Sequence, residues 1–105
     1  MTAHGIDLNS DAIRQFCNKW KIGELSVFGS ILRDDFRPDS DIDFLADFDE
    51  DADWDLLDHM DMEEELAGIM GRRVDLLTKY SVENSHNRFY KQAILSKSEP
   101  IVARR

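Results

Sequence analysis

The stretch from Asp41 to Phe48 constrains the fold of this chain more than any other. Read as a strand, it sets Ile42, Phe44 and Ala46 on one face and Asp41, Asp43, Leu45 and Asp47 on the other, because successive side chains in extended backbone point to opposite sides. The first face asks for a hydrophobic core. The second carries paired carboxylates that the core-facing Ile42 and Phe44 hold on a rigid element, and not on a mobile loop.

The flanking segments complete the pattern. Ser10-Asp11 reads as a helix start, followed by Ile13, Phe16, Cys17 and Trp20 at helical spacing. Gly23 is expected to break that helix, and Glu24 to Phe28 to form a short strand running into Gly29-Ser30. The first residues after it suit a helical turn, and Arg37-Pro38-Asp39-Ser40 has turn chemistry. An acidic loop, Asp49 to Asp53, leads to a long helix from Trp54 to Met70 with a stripe of Met62, Leu66, Ile69 and Met70. Gly71 caps it, with Arg72 and Arg73 favourably placed at its negative end. Arg73 to Thr78 is a third strand; Phe89, Ala93 and Ile94 mark a last helix; Ile101-Val102-Ala103 is an edge strand or docking tail. The order predicts an α+β (α/β) domain spanning residues 1–105, with a small mixed sheet of three to four strands flanked by helices.

Composition narrows the setting. With 42% hydrophobic residues the chain can bury a core, and it has no apolar run of the ~20 residues that span a bilayer. The N-terminus has no signal-peptide pattern, and the single cysteine, Cys17, excludes an internal disulfide. These features predict a soluble cytoplasmic protein. The net charge of −9 is uneven: fourteen Asp or Glu and no Lys or Arg lie between Pro38 and Gly71, whereas Arg72, Arg73, Lys79, Arg88, Lys91, Lys97, Arg104 and Arg105 lie beyond. Such a surface repels nucleic acid phosphates, so direct nucleic acid binding is disfavoured. A basic protein partner or a metal-neutralised anionic substrate suits it better, although part of the acidity is a solvated helix face.

Chemistry concentrates in Gly29-Ser30, ten intervening residues, and Asp41-Ile42-Asp43. Two carboxylates on one strand face repel each other unless a cation binds between them, and their hard oxygens suit Mg²⁺. Glycine permits close backbone approach to a phosphate, and serine adds N–H and hydroxyl donors. Asp75, between the apolar Val74 and Leu76, is set on a predicted neighbouring strand in the same manner as that pair. It is expected to be the third metal ligand and a base for an attacking hydroxyl.

These residues carry a resemblance. Leu25 to Ser30, Arg37 to Leu45 and Gly71 to Leu77 are similar to the nucleotidyltransferase superfamily that includes DNA polymerase β. The chain resembles more narrowly its minimal nucleotidyltransferase (MNT) antitoxins, which accompany HEPN-domain ribonuclease toxins. The resemblance implies a polymerase β-like fold, ATP as substrate with two Mg²⁺ ions, and transfer of AMP to a tyrosine of the toxin with release of pyrophosphate. It implies that Gly29 and Ser30 hold phosphates, that Asp41, Asp43 and Asp75 bind the metals, and that Arg33 touches the triphosphate. The departure is Asp34, where many members have glycine.

Two alternatives remain beside that reading. One is a non-catalytic antitoxin whose acidic segment masks a basic ribonuclease surface; the other is a transferase acting on a small molecule. His4, His59 and His86 share no metal-ligand spacing, and His59 is expected at the surface. Cys17, Trp54 and Met62 are expected to be packing residues, and Phe89 and Tyr90 suit either a partner contact or a docked helix.

Overall fold

The computed structural model describes residues 1–104; Arg105, counted above among the basic residues, lies outside the described residues. The chain opens with a hairpin of β1 (Thr2–Ala3) and β2 (Ile6–Asp7), then α1 (Asp11–Lys19) and β3 (Ile22–Phe28). A 3₁₀ turn (Gly29–Leu32) leads to β4 (Ile42–Phe48), α2 (Leu56–Met70) and β5 (Val74–Thr78). Helices α3 (Lys79–Glu83) and α4 (Arg88–Lys97) and strand β6 (Glu99–Ala103) complete it. The main sheet has the order β5-β4-β3-β6. Only β4 and β5 run parallel, so the expected mixed α+β architecture forms, with four strands where three to four were expected.

Local chemistry explains most boundaries. Ser10 accepts from the Ile13 N–H and starts α1, and Asp55 with Asp58 makes a reciprocal capping box at α2. Gly71, at φ 69°, closes α2 in the left-handed conformation that glycine adopts without a Cβ clash. Other boundaries correct the sequence reading. Helix α2 starts at Leu56, after its cap Asp55, two residues beyond the approximate start expected at Trp54. Gly23 does not break the pattern: it lies inside β3, at a register shift between Ile22 and Glu24. The left-handed residue ending the α1 region is Lys21, φ 57°. The β1–β2 hairpin and α3 were not expected. The first turns on His4 and Gly5, both at positive φ, and the second starts from a Thr78 side chain accepting from Ser81.

The two faces of the sheet are covered differently. On one, Ile42, Phe44 and Ala46 of β4 pack with Leu25, Val27 and Leu76 against Ile13, Phe16 and Cys17 of α1 and Met62 and Leu66 of α2. On the other, Leu45 meets Val82 of α3 and Ile94 of α4 in a small separate cluster. Cys17 is fully buried, and burial pushes its thiol up to about 11 against the lowering charge of Arg104. It is a packing residue with no thiolate to offer at neutral pH. Trp54 is also structural, its Nε1 donating to the Trp20 carbonyl at 2.8 Å. No helix among the described residues is long and apolar enough to cross a membrane.

Candidate active site

The acidic site lies at one end of the second face. Parallel pairing sets Asp43 opposite Asp75, with Ile42 opposite Val74 and Phe44 opposite Leu76. Since the neighbours on both strands turn into the core, both carboxylates leave from the opposite face. On the other side of β4, Phe28 lies opposite Asp43. The chain then reverses at once through Gly29, so the Gly-Ser turn stands directly beside Asp43.

Gly29 is required there for two independent reasons. Its φ is +74°, and an added Cβ would overlap the Asp43 Oδ2. The 3₁₀ turn that starts at Gly29 is pinned by Ile31, 1% exposed, and closed by the Arg33 N–H donating to the Ser30 carbonyl at 2.9 Å. Its leading N–H groups lack intrahelical acceptors, as at any helical start. The Ser30 hydroxyl donates to the Asp41 carbonyl at 3.5 Å and so ties the turn to the strand carrying the acids.

Burial and charge act together at this corner. Burial, then the negative charges of Asp75 and Asp41, raise the Asp43 pKa above its ordinary value, and Arg33 partly offsets them. Four of the six expected site residues therefore act on one another: Asp41, Asp43, Asp75 and Arg33. Gly29 and Ser30 touch the same cluster through Asp43 and Asp41. The uncommon residue of the turn, Asp34, is exposed and does not figure among the charges acting on Asp43.

The carboxylates have not closed into a ring. Asp41 turns to Arg73, whose Nε lies 3.3 Å from its Oδ1, and Arg33 pairs with Asp35 at 3.2 Å. Among the described residues no three His, Cys, Asp or Glu side chains stand together as a metal cage. The donor set still suits a hard cation. Its oxygens are carboxylate, and the mutual repulsion raising Asp43 is what a divalent ion would relieve.

Two basic residues contribute in ways their place in the sequence hid. Arg72 was expected to act only on the end of α2. Instead its guanidinium stacks 4.9 Å from the Phe36 ring and donates to the Ser40 carbonyl at 3.2 Å, bracing the turn just before Asp41. His4 stacks on the same ring at 4.8 Å, so the N-terminal hairpin also supports this loop. Arg73 is the counter-ion of Asp41. The sequence signal was present in the position of both residues directly before Val74-Asp75, the strand that pairs with Ile42-Asp43. A third correction concerns His59. It is half-buried, with its Nε2 2.8 Å from the Leu76 carbonyl, and links α2 to β5.

Residues 10–99 match the sequence model of the family described as nucleotidyltransferase domain. The chain is similar to the protein adenylyltransferase MntA of Thermococcus cleftensis, 36% identical over 84 residues that cover 80% of this chain and 75% of that protein. Among solved structures it is similar to a chain of a toxin–antitoxin crystal structure with AMP-PNP, at a TM-score of 0.69 and 18% identity, covering 91% of this chain and 74% of that one. It is also similar to a chain of the complex between a tri-AMPylated Shewanella oneidensis HEPN toxin and an MNT antitoxin. There the TM-score is 0.61 at 18% identity, over 91% of this chain and 71% of that one. At this identity the two structural likenesses speak for the fold alone.

Proposed function

The chain belongs to the nucleotidyltransferase domain family, and from that membership we propose that it is an antitoxin adenylyltransferase. It transfers AMP from ATP to a tyrosine hydroxyl of a HEPN-domain ribonuclease toxin and releases pyrophosphate. The observation that carries the reading is the Asp43–Asp75 register beside a glycine turn that admits no side chain. The relative from T. cleftensis, named a protein adenylyltransferase, supports a protein acceptor, and the chain shares its fold with an MNT antitoxin in complex with a tri-AMPylated HEPN toxin.

Each residue then has a task. Asp41, Asp43 and Asp75 would hold two Mg²⁺ ions. When bound, these supply charge neutralisation at the attacking and leaving oxygens. Gly29 gives the triphosphate access to the backbone, Ser30 offers N–H and hydroxyl donors, and Arg33 adds a cation on the same side. In the transfer the tyrosine oxygen bonds to the α-phosphorus, the bond from that phosphorus to the bridging oxygen breaks, and Asp75 accepts the hydroxyl proton. Such chemistry asks mainly for positioning and charge compensation, which a minimal domain within residues 1–105 can provide. The site is shallow, with exposed Asp41 and Asp75, and that suits a protein acceptor whose own surface completes it.

The test is direct. Incubation with α-labelled ATP, Mg²⁺ and the toxin should label the toxin. Asp41→Asn and Asp43→Asn should each lower the rate by about 10³-fold, since loss of a metal ligand forfeits several kcal/mol of transition-state stabilisation. Absence of label with the unaltered chain would sink the proposal. The uneven charge also favours a second reading, stoichiometric masking of a basic surface, and full neutralisation by the Asp41→Asn/Asp43→Asn double variant would select it.

A further inference from the structure

The start of α2 presents apolar side chains that the fold does not use. Leu56, Leu57 and Met60 are 73%, 69% and 56% exposed, whereas Met62 and Leu66 of the same helix are fully buried. The three are adjacent on the helix surface by their spacing, and an exposed cluster of large apolar groups marks an interaction site more often than a folding need. Tyr80, in the first turn of α3, is 78% exposed. Because β4 and β5 are parallel, α2 and α3 both spring from the same edge of the sheet. Between them runs a groove of about 410 Å³ lined by Phe48, Trp54, His59, Met62, Thr78 and Tyr80.

This edge is at the far end of the strands from the acidic site. Asp43 and Phe48 are separated along β4 by roughly 16 Å, at about 3.3 Å per residue. Its surroundings are mainly acidic. Asp53, Asp55, Asp61 and Glu64 are exposed around the apolar trio, and no Lys or Arg occurs between Pro38 and Gly71. The cations that approach from elsewhere, Lys19, Lys21, Lys79 and Arg104, are already paired with Glu65, Asp51, Asp47 and Asp49.

We propose that this edge is a docking exosite for the protein acceptor, taking an apolar anchor flanked by Lys or Arg side chains. Its occupant as acceptor rests on the adenylyltransferase reading; the surface itself does not. A second copy of this chain is the poorer occupant, since it would bring another net charge of −9 and the same acidic rim. Docking here leaves the acidic site free to work on a tyrosine elsewhere on the bound partner, so affinity and chemistry reside in different residues.

The experiment separates them. Binding of the HEPN toxin is measured in the catalytically silent Asp41→Asn/Asp43→Asn background, with and without Leu56→Ser/Leu57→Ser/Met60→Thr. The triple change should weaken binding by about tenfold or more, the scale of losing central interface anchors. In the otherwise unaltered chain it should raise KM for the toxin by the same factor and leave kcat and KM for ATP in place. Thermal melting of the triple variant checks that the fold is kept. Asp61→Asn/Glu64→Gln, a second and milder variant, should weaken binding and flatten its dependence on salt. Toxin affinity unmoved by both variants would overturn the proposal. So would sedimentation of the chain alone as a dimer that the triple variant dissolves while toxin affinity stays. Docking lost in the triple variant, with no AMP transfer by the unaltered chain, would uphold the surface and sink the chemistry.

Discussion

The two faces of β4 are made of alternate residues of one strand, yet they do opposite work. Ile42, Phe44 and Ala46 are fully buried among side chains from α1 and α2. Asp43, Leu45 and Asp47 leave from the other side, where the small Leu45–Val82–Ile94 cluster holds only the middle of the strand. The apolar face fixes where the backbone runs; the other face uses that rigidity to crowd charges the fold does not favour. The core and the candidate site are thus carried by alternate residues of one seven-residue strand with almost no overlap, as the alternation of extended backbone permits.

Substitutions on the two faces should separate in the same way. Phe44→Ala should have the largest effect on stability, about 3–5 kcal/mol, because it empties the centre of the main core. Leu45→Ala, in the smaller cluster, should cost nearer ~2 kcal/mol, the low end for a buried leucine. Chemical denaturation of both variants measures the gap, and equal losses would break the distinction between the faces.

Gly29→Ala sharpens it from the other direction. The left-handed φ and the overlap with Asp43 Oδ2 should cost about 1–3 kcal/mol. Transfer of AMP to the toxin should fall much further than that loss of stability explains. An active Gly29→Ala chain would show that the turn need not approach Asp43 so closely.

The smallest effect expected is at Glu65, which binds α2 to the end of α1 through Trp20 Nε1 and Lys19. Burial raises its pKa, but the hydrogen bonds from Trp20 and Lys19 and the Lys19 charge outweigh that and lower it overall. A lowered carboxylate pKa stabilises the fold above the ordinary value of 4.5 and loses that contribution as pH falls through the folded-state value. Glu65→Gln should therefore narrow the stability difference between neutral and acid pH. At this partly exposed site the change should stay under about 1 kcal/mol. Urea titrations at the two pH values measure it; no change in the pH dependence would mean that the pairing contributes nothing.

Much of the candidate site was legible beforehand because its determinants are local. Strand alternation fixed the face of Asp43, and the Gly-Ser turn followed directly from a strand. Ser10 and Gly71 act on backbone groups within a few residues, which is why the start of α1 and the end of α2 could be read so closely. Gly23 misled because glycine suits a bulge as well as a break, and only pairing with β4 and β6 decides between them.

What the sequence by itself determined is the alternation of β4, the helical stripes, the caps at Ser10 and Gly71, and the set of acids and small residues that make up the candidate site. These depend on spacing within one element. Tertiary structure alone decided that Asp75 falls opposite Asp43, that Arg73 holds Asp41, that Arg72 and His4 meet on Phe36, and that Leu56, Leu57 and Met60 stay uncovered. Each of these joins residues far apart in the chain, or turns on which side of a helix finds a partner. The physical reason is that register and packing are settled by the whole sheet and its helices at once, through burial and charge acting across elements, and no local pattern encodes that sum.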